Sequence, residues 1–519
     1  MGKRLVRSAC IGNAWAGKLS ARSQVTKLIR ELLPGPDDDP ALTCDRGMLT
    51  FGALRRRVTA VTCMLFGDNG KRLAFCFLPN SVELVIAYLS AVTGGHAVGL
   101  LSPATPTVRR RRLIQAYRPE VVIAADDELA EYLPGLGYRP LAWLREQWGL
   151  RGWMADPVGD LAPDLALLLS TSGTTGTPKL VRLSGANIAA NAVGIAASLG
   201  ISPAQRAVTS LPLCYSYGLS IVNSHLAAGS CVAVTGQRPM TPLFWQFVHA
   251  HDVAEVAGTP LMHRVILSER RGPGLPPSVR VMTQAGGRLG TEQAGSAVAW
   301  MKATGGRFYC MYGQTEATAR ISCLDAAYLA RKPDSVGTAL PGGHITVGRP
   351  LPGGADGPIT YTGPNVMMGY ATSRPDLARG PEVSVLETGD LGRLDEDGFL
   401  YVTGRSSRFV KILDRRVSLD DVEEWFQLPG RCAAVPGRRA AIVVFTTSQD
   451  GALEASRRAL TVALGAPASA VQVQTIGTIP RTVNGKVDYA ELEQAAASQG
   501  PGELVRAPVV RRNDQGDGA

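Results

Sequence analysis

A buried strand that ends in a hydroxyl-rich loop constrains this sequence more than any other feature. The apolar residues 165–169 are followed by Ser170-Thr-Ser-Gly-Thr-Thr-Gly-Thr-Pro-Lys179. This order predicts a phosphate-binding loop, because glycines let the backbone approach an anion while hydroxyl and N–H groups donate to its oxygens. It is not a Walker loop, in which Gly-Lys-Ser/Thr leads into a helix, since residues 180–183 continue as a second strand. Alone, the stretch also fits an ordinary hairpin rich in Gly, Ser and Thr.

Four later segments carry polar groups in equally compact form. They are Tyr312-Gly313-Gln314-Thr315-Glu316, Thr388-Gly389-Asp390, Gly404-Arg405 with Lys411, and Pro480-Arg481-Thr482-Val483-Asn484-Gly485-Lys486. Only nine of the 54 basic residues are lysines, yet Lys179, Lys411 and Lys486 all fall within these segments or the loop. A compact ammonium and a planar guanidinium are not interchangeable at a reacting phosphate. The lysines therefore indicate selection for chemistry at these positions.

Taken together and in this order, the five segments resemble those of the adenylate-forming superfamily. This superfamily includes acyl-CoA synthetases, aryl-CoA ligases, peptide-synthetase adenylation domains and firefly luciferase. The resemblance runs from about Leu49 to about Ala495. It implies an ATP- and Mg²⁺-dependent ligase that converts a carboxylic acid into an acyl-adenylate and pyrophosphate. The acyl group would then pass to a thiol, either coenzyme A or the phosphopantetheine of an acyl-carrier protein.

The resemblance also implies which residues bind the nucleotide. The β- and γ-phosphates would lie against Thr171, Ser172, Gly173, Thr174, Thr175, Gly176 and Lys179. Glu316 and Thr171 would hold Mg²⁺, a hard cation that prefers oxygen ligands, and Thr315 would contact the α-phosphate. Lys486 would bridge the carboxylate of the acid and the α-phosphate.

The remaining nucleotide contacts concern the ribose and the base. By resemblance, Asp390 would accept hydrogen bonds from the two ribose hydroxyls and Arg405 would flank the same ribose. Tyr312 would cover one face of adenine, and the turn containing Gly286 and Gly287 would cover the other. In isolation, the segment Thr388-Gly389-Asp390 is also typical of a β-turn.

The pocket for the acid is implied by the same resemblance. Its expected lining is Tyr215, Tyr217, Thr283, Gln284, Met311 and the residues after Glu316. Tyr215 stands where the family usually carries histidine. Arg320 stands where aryl-CoA ligases usually have an apolar wall, so two roles stay open for it: binding a second anionic group of the substrate, or pairing with a structural carboxylate.

Two departures from the family pattern leave the acceptor open. Ser407 occupies the hinge position, which is usually Asp or Lys, and Asp414 replaces a glycine beside the path of the pantetheine arm. A carboxylate there adds bulk and negative charge near a negatively charged cosubstrate. Alternatives to thiol transfer are therefore transfer to an amine, activation of an unusual small oxyanion acid, or a non-catalytic nucleotide-binding protein.

Length and pattern predict an α/β protein of more than one domain. Strands and helices alternate between residues 72 and 125, which indicates parallel sheets. Residues 353–404 change to short β segments. We expect a large N-terminal α/β domain with a small β subdomain (1–403), a small mobile α+β C-terminal domain (404–497) and a disordered tail (498–519).

Charge and cysteine usage exclude other classes of protein. The net charge of +10 invites a nucleic-acid interpretation, but the four arginines at 109–112 should spread around a helix, and no aromatic residues interleave with them. Apolar runs stay short of the roughly 20 residues of a membrane helix. Nine scattered cysteines without a C-x-x-C pattern predict reduced thiols in the cytoplasm. The expected partners are a small acid and, as one option, an acyl-carrier protein, without nucleic acid or membrane.

Overall fold

The computed structural model describes two compact units. The described residues are 28, 31–67, 70–170, 179–266, 275–350, 356–405, 408–412, 415–426, 428, 431–437, 442–449, 452–464, 466–482 and 486–498. The first unit comprises residues 1–350, 356–388 and 392–403, and the second comprises 351–355, 389–391 and 404–519. Residues 499–519 of the predicted tail lie outside the described residues.

The strands are numbered along the chain. They are β1 (Pro40–Cys44), β2 (Gly47–Thr50), β3 (Leu73–Phe77), β4 (Ala97–Leu101), β5 (Val121–Ala124), β6 (Arg139–Pro140), β7 (Arg151–Met154), β8 (Leu165–Ser170), β9 (Leu180–Ser184), β10 (Arg206–Val208), β11 (Cys231–Ala233), β12 (Glu255–Gly258), β13 (Val281–Gln284), β14 (Arg307–Tyr312), β15 (Ser322–Asp325), β16 (Thr338–Ala339), β17 (His344–Val347), β18 (Gly357–Thr362), β19 (Gly369–Ala371), β20 (Leu386–Leu394), β21 (Leu400–Arg405), β22 (Phe409–Ile412), β23 (Arg415–Ser418), β24 (Cys432–Pro436), β25 (Ile442–Thr446) and β26 (Val471–Thr475).

The helices follow the same convention. They are α1 (Phe51–Phe66), α2 (Val82–Thr93), α3 (Thr107–Tyr117), α4 (Ala142–Trp148), α5 (Gly185–Leu199), α6 (Ser216–Ala227), α7 (Pro242–Ala250), α8 (Pro260–Ile266), α9 (Thr291–Ala303), α10 (Ala326–Leu329), α11 (Leu419–Trp425), α12 (Ala452–Leu464) and α13 (Tyr489–Ser498). Across the described part of the chain, no helix combines the length and the apolar character needed to cross a membrane.

An eight-stranded sheet carries the strand that leads into the hydroxyl-rich loop. Its order is β19-β9-β8-β4-β3-β5-β7-β6. The central strands β8, β4, β3 and β5 run parallel, whereas β9, β19 and β7 pair antiparallel with their neighbours. All five residues of β3 are buried, as expected for a parallel strand covered on both faces. The predicted parallel α/β layer is confirmed, with antiparallel strands added at both sides.

A second, nine-stranded sheet carries the remaining site residues of the first unit. Its order is β16-β15-β14-β13-β12-β10-β11-β1-β2. Strands β14, β13, β12, β10, β11 and β1 are parallel along the sheet, and β15 and β2 are antiparallel. Because β13 and β14 are parallel neighbours, Gln284 lies opposite Cys310 and both strands end at the same edge of the sheet. A four-stranded sheet, β17-β18-β20-β21, follows.

The ends of helix α5, which follows the β8–β9 hairpin, are determined by residues nearby in the sequence. The Ser184 hydroxyl accepts from Asn187 N, and Asn187 Oδ1 accepts from Ser184 N. This reciprocal capping box fixes the start of the helix. Gly200 ends it in the left-handed region, with φ of 62°, where glycine has no steric cost. Side chains and backbone within a few positions therefore set both ends of α5.

Helix α3 corrects the interpretation of the arginine run in part. Arg109, Arg111 and Arg112 are exposed. Arg110 instead is buried, and its guanidinium pairs with Asp126 at 2.9 Å. The side chain turns inward because positions three and four apart share the buried face with Leu113 and Ile114. One of the four charges is therefore structural.

The second unit has its own small α+β core. Strand β25 pairs antiparallel with β24 and parallel with β26, and β22 forms an antiparallel pair with β23. Residues 440 and 441, just before β25, lie outside the described residues. The unit also contains the helices α11 and α13, which agrees with the predicted α+β character.

Candidate active site

The hydroxyl-rich loop connects two paired strands. Strand β8 ends at Ser170 and β9 begins at Leu180, and these two residues lie opposite each other in the antiparallel pair. Residues 171–178 therefore join the ends of a hairpin. The predicted phosphate-binding residues Thr171, Ser172, Gly173, Thr174, Thr175 and Gly176 lie outside the described residues.

Lys179 is exposed and lies against an aromatic ring. Its Nζ is 3.2 Å from the centroid of the Tyr370 ring. Strand β19 pairs with β9 so that Tyr370 lies opposite Val181, which places the ring beside the base of the loop. A cation over an aromatic face is attracted by the ring quadrupole. This contact holds the lysine at the exit of the loop.

The same tyrosine also holds the predicted metal ligand. Tyr370 Oη donates a hydrogen bond to Glu316 Oε1 at 2.8 Å, and Met367 N donates to the Glu316 carbonyl at 2.9 Å. Burial, and then the neighbouring carboxylate, raise the pKa of Tyr370. Tyr370 is thus a neutral donor that fixes Glu316 next to Lys179. Its sequence context, Gly-Tyr-Ala, carries no motif, so sequence reasoning missed it.

The carboxylate oxygens of Glu316 are suitable ligands for Mg²⁺. The described residues contain no group of three or more His, Cys, Asp or Glu side chains arranged to hold a metal. A nucleotide-bound Mg²⁺ needs only one or two carboxylates, because phosphate oxygens and water supply its remaining ligands. The single oriented carboxylate of Glu316 meets that requirement.

The segment around Glu316 is fixed by side chains distant in sequence. Thr315–Ala317 forms one 3₁₀ turn, and buried Thr315 Oγ1 lies 3.2 Å from Ser216 Oγ at the start of α6. Asn365 Nδ2 donates to the carbonyls of Ala317 and Arg320, both at 2.9 Å. These bonds satisfy buried carbonyls that would otherwise be costly to desolvate.

The predicted adenine-binding residues lie after neighbouring strands. Tyr312 ends β14, and the turn with Gly286 and Gly287 follows β13. Gly286 has φ of 86°, and a Cβ there would stand 3.0 Å from Tyr215 Oη. Gln284 Nε2 donates to Gly287 O at 2.6 Å, so its amide shapes this turn. Because β13 and β14 are neighbours in the sheet, this glycine turn and Tyr312 follow the ends of adjacent strands.

The predicted acid pocket is built around Tyr217 and Thr283. Tyr217 Oη donates to Thr283 O at 2.9 Å and lies 3.0 Å from Thr283 Oγ1. His263 Nε2 donates to the same carbonyl at 3.0 Å. Burial lowers the pKa of His263 to about 4, so the ring is neutral. His263 lies outside every motif, and sequence reasoning missed it.

Arg320 is the one charged member of this pocket. Its side chain is 2% exposed, and its guanidinium carbon lies 3.9 Å from the centroid of the Tyr217 ring. Arg320 Nε contacts Met311 Sδ at 3.3 Å. Burial lowers the pKa of the guanidinium, which nevertheless stays protonated, because arginine does not lose its proton in proteins. The structure therefore brings Tyr217, Met311 and Arg320 together, and their role in binding the acid stays a prediction.

Three predicted site residues belong to the second unit. Asp390 Oδ1 and Arg405 Nε form an ion pair at 3.0 Å. Lys486 is half-buried in a turn in which Thr482 N donates to Lys486 O at 2.7 Å and Arg481 pairs with Val487. The ligand roles of all three residues stay predictions.

Fold and site define an ATP-using, adenylate-forming enzyme, and the family comparison agrees. The family model described as "AMP-binding enzyme" matches residues 33–371. The chain belongs to this AMP-binding enzyme family. It is an ATP- and Mg²⁺-dependent ligase that adenylates a carboxylic acid and passes the acyl group to a thiol.

Curated relatives extend the comparison along the chain. A sulfoacetate–CoA ligase of Cupriavidus necator is 30% identical over 88% of this chain and 94% of its own length. A 2-succinylbenzoate–CoA ligase of Bacillus cereus is 28% identical over 72% of this chain and 76% of its own. An isonitrile lipopeptide synthase of Streptomyces coeruleorubidus is 28% identical over 92% of this chain, which spans only 35% of that relative.

Solved structures share the fold. The o-succinylbenzoate coenzyme A synthetase of Bacillus subtilis with ATP and magnesium has a TM-score of 0.71 at 22% identity, covering 89% of this chain and 97% of that one. The amide bond synthetase McbA of Marinactinospora thermotolerans has a TM-score of 0.71 at 22% identity, covering 92% and 99%. At these identities the likeness concerns the fold alone.

Proposed function

We propose that the protein is an acid–coenzyme A ligase whose first unit binds Mg²⁺-ATP and the acid, and whose Lys486 drives adenylation. The observation that carries this proposal is the arrangement of Lys179, Tyr370 and Glu316. It places a cation and an oriented carboxylate together at the exit of a loop rich in hydroxyl and glycine residues. These are the groups that a triphosphate with its metal requires.

The proposed nucleotide contacts follow the chemistry of each group. Lys179 and loop residues 171–176 donate to the β- and γ-phosphates, and Thr315 contacts the α-phosphate. Glu316 would hold Mg²⁺, with Thr171 as a second ligand, and the metal would neutralise charge that develops on the phosphates. In the second unit, Asp390 accepts from the ribose hydroxyls, with Arg405 flanking.

Lys486 is assigned to the chemical step. A carboxylate is a poor electrophile because oxide would have to leave, whereas AMP is a good leaving group. When the acid oxygen attacks the α-phosphate, the bond from the α-phosphorus to the β-phosphate oxygen breaks, pyrophosphate leaves, and negative charge accumulates around the reacting phosphorus. A positioned ammonium that contacts both the acid and the α-phosphate stabilises this charge and aligns the two reactants. Tyr215, Tyr217, Thr283, Gln284 and Met311 would line the site for the acid.

Pyrophosphate exchange and thioester formation together test the proposal. Purified protein with ATP, Mg²⁺ and a panel of acids should exchange labelled pyrophosphate into ATP, and coenzyme A should then yield an acyl thioester detectable by mass spectrometry. Absence of exchange with every acid would contradict the adenylation role. Exchange without any thioester would leave adenylation intact and exclude coenzyme A as the acceptor.

A second acceptor class is favoured by one residue. Asp414, which lies outside the described residues, places a carboxylate where relatives usually have glycine beside the pantetheine path. An amine acceptor has no pantetheine arm, so a carboxylate at this position would not obstruct it. Scoring coenzyme A, a carrier protein and small amines in parallel after exchange is established would separate these acceptors.

We assign the protein to the cytoplasm on the state of its cysteines. The eight described cysteines are all free thiols. Burial raises the pKa of Cys76 and of Cys310 to about 12, so both are unreactive at neutral pH. Unpaired, buried thiols are typical of a reducing compartment.

A further inference from the structure

Four arginine side chains are buried in the part of the chain that the structure describes. They are Arg110, Arg182, Arg320 and Arg374. Three of them meet a carboxylate: Arg110 pairs with Asp126, Arg182 with Glu382 and Arg374 with Glu120. Within the described residues, no carboxylate forms an ion pair with Arg320. This guanidinium is therefore the exception among the buried arginines.

The contacts of Arg320 leave its charge uncompensated. Its Nε meets only the weakly accepting Sδ of Met311, and its planar face lies on the Tyr217 ring. Among the described groups, none accepts a hydrogen bond from its two terminal nitrogens. The carboxylate of Glu255, whose charge acts on Arg320 from a distance, instead contacts His225 Nε2 at 3.2 Å. A cation–π contact offsets only part of the cost of burying a charge.

The guanidinium of Arg320 lies beside residues of the proposed acid pocket. Tyr217 is fixed by its two contacts to Thr283, and Met311 lies on β14 immediately before Tyr312. The guanidinium is therefore held among the residues proposed to line the acid site. The carbonyl of Arg320 accepts from Asn191 and Asn365, so the backbone that carries it is also fixed. A fork of donors held in one place is suited to a planar or tetrahedral oxyanion.

We propose that Arg320 is a specificity-determining residue that binds a second anionic group of the acid, so the substrate is a small carboxylic acid bearing a further carboxylate or sulfonate. This inference rests on the proposed function, because it assumes that the pocket around Tyr217 holds the acid. It decides between the two roles that the sequence left open for Arg320.

The first experiment measures substrate preference with matched acids. Pyrophosphate exchange is compared for butanoate and butanedioate, for benzoate and benzene-1,2-dicarboxylate, and for propanoate and 3-sulfopropanoate. In at least one pair, the dianionic member should have a kcat/KM roughly 10- to 100-fold higher, as expected for one charge-assisted pair. The carboxylate and sulfonate pairs show which group is bound. A preference for the monoanion in every active pair would overturn the proposal.

Three variants connect the preference to the side chain. Arg320→Met keeps a long side chain without charge and should lose or reverse the preference, whereas Arg320→Lys should retain part of it. Arg374→Met is the matched control, because it removes a buried arginine distant in sequence from the pocket motifs and should leave the preference unchanged. An unaltered preference in Arg320→Met would contradict the proposal.

A second measurement does not depend on catalysis. Without ligand, Arg320→Met should melt at the same temperature as the unmodified protein or higher, since it removes an uncompensated buried charge. Arg374→Met should melt lower, because it leaves Glu120 buried and unpaired. Equal destabilisation by the two variants would assign Arg320 a structural role and overturn the proposal.

The melting temperature also tests the inference if this protein exchanges pyrophosphate with none of the acids. That result would contradict the proposed function, and the anion site would then be judged by melting alone. At millimolar concentration, butanedioate or 3-sulfopropanoate should raise the melting temperature of the unmodified protein but not of Arg320→Met. Equal shifts in both proteins, or no shift in either, would overturn the inference.

Discussion

The proposed catalytic groups of the two units are held in different ways. In the first unit, Glu316 is oriented by Tyr370, 54 positions further along the chain, and the loop after it is tied to Asn365. In the second unit, Lys486 stands in a turn that its own neighbours close, through bonds from Thr482 N to Lys486 O and from Asp488 N to Pro480 O.

This difference indicates how the chemistry is divided. Long-range bonds preorganise the segment of the first unit that carries Glu316, so the geometry of this segment depends on the complete fold of that unit. The backbone around Lys486 is held by bonds between residues 480 and 488. Substitutions of Lys486 should therefore affect the reaction without disturbing nucleotide binding, whereas substitutions in the first unit should affect binding first.

The largest effect is expected for Lys486→Ala. Pyrophosphate exchange should fall by about 100- to 1,000-fold, because a positioned donor to the transition state is lost. Affinity for ATP, measured by calorimetry, should change little. Lys302→Ala removes an exposed lysine of α9 and serves as the control. Full exchange in Lys486→Ala would show that the second unit does not supply the adenylation lysine.

Lys179→Ala should act mainly on binding. We expect the KM for ATP to rise by roughly 10-fold while kcat changes less, since a phosphate contact made equally in the ground and transition states is lost. Steady-state kinetics at saturating acid measures both quantities. A fall in kcat at unchanged KM would place Lys179 with Lys486 in the chemical step and remove the distinction between the units.

Asp414→Gly tests the second unit in the other half-reaction. If the carboxylate narrows the path of the pantetheine arm, thioester formation with coenzyme A should rise several-fold, whereas pyrophosphate exchange should stay nearly constant. Mass spectrometry of the thioester and the exchange assay provide the two readouts. Rapid thioester formation by the unmodified protein would show that Asp414 does not obstruct transfer.

Tyr370→Phe should have the smallest effect and the most specific one. Loss of one hydrogen bond to a carboxylate is worth about 1.5–3 kcal/mol at most, part of which solvent replaces around half-buried Glu316. The Mg²⁺ concentration for half-maximal exchange should rise roughly fivefold. Tyr117→Phe, which removes a hydroxyl that donates to Ala371 O, should leave the Mg²⁺ requirement unchanged. An identical Mg²⁺ dependence in both variants would mean that Tyr370 does not position Glu316.

Local signals in the sequence predicted much of the fold. The apolar residues of β3 and the caps of α5 are set by side chains within a few positions. The pairing of β19 with β9 joins segments nearly 190 residues apart, and no local pattern encodes it. The inward turn of Arg110 was missed for a similar reason, since its partner Asp126 lies beyond the helix.

The site was predictable only where its residues fall in motifs. The motifs predicted Glu316, Lys179, Tyr217, Met311 and Arg320, and the structure places Lys179 and Glu316 on one tyrosine and Arg320 on Tyr217 and Met311. Tyr370, Asn365 and His263 were not predicted, because each acts by reaching a distant backbone or carboxylate group. Such supporting residues become visible only in three dimensions.

The backbone and the side chain of Arg320 contact different residues. Its carbonyl is held by the amides of Asn191 and Asn365, and Asn365 also fixes the turn that carries Glu316. Its side chain contacts Tyr217 and Met311 instead. Mutations that exchange the side chain therefore need not displace the turn that carries Glu316. If Arg320 binds the acid as proposed, the choice of acid can diverge at this position, in evolution or in the laboratory, while the groups proposed to bind the nucleotide are inherited intact.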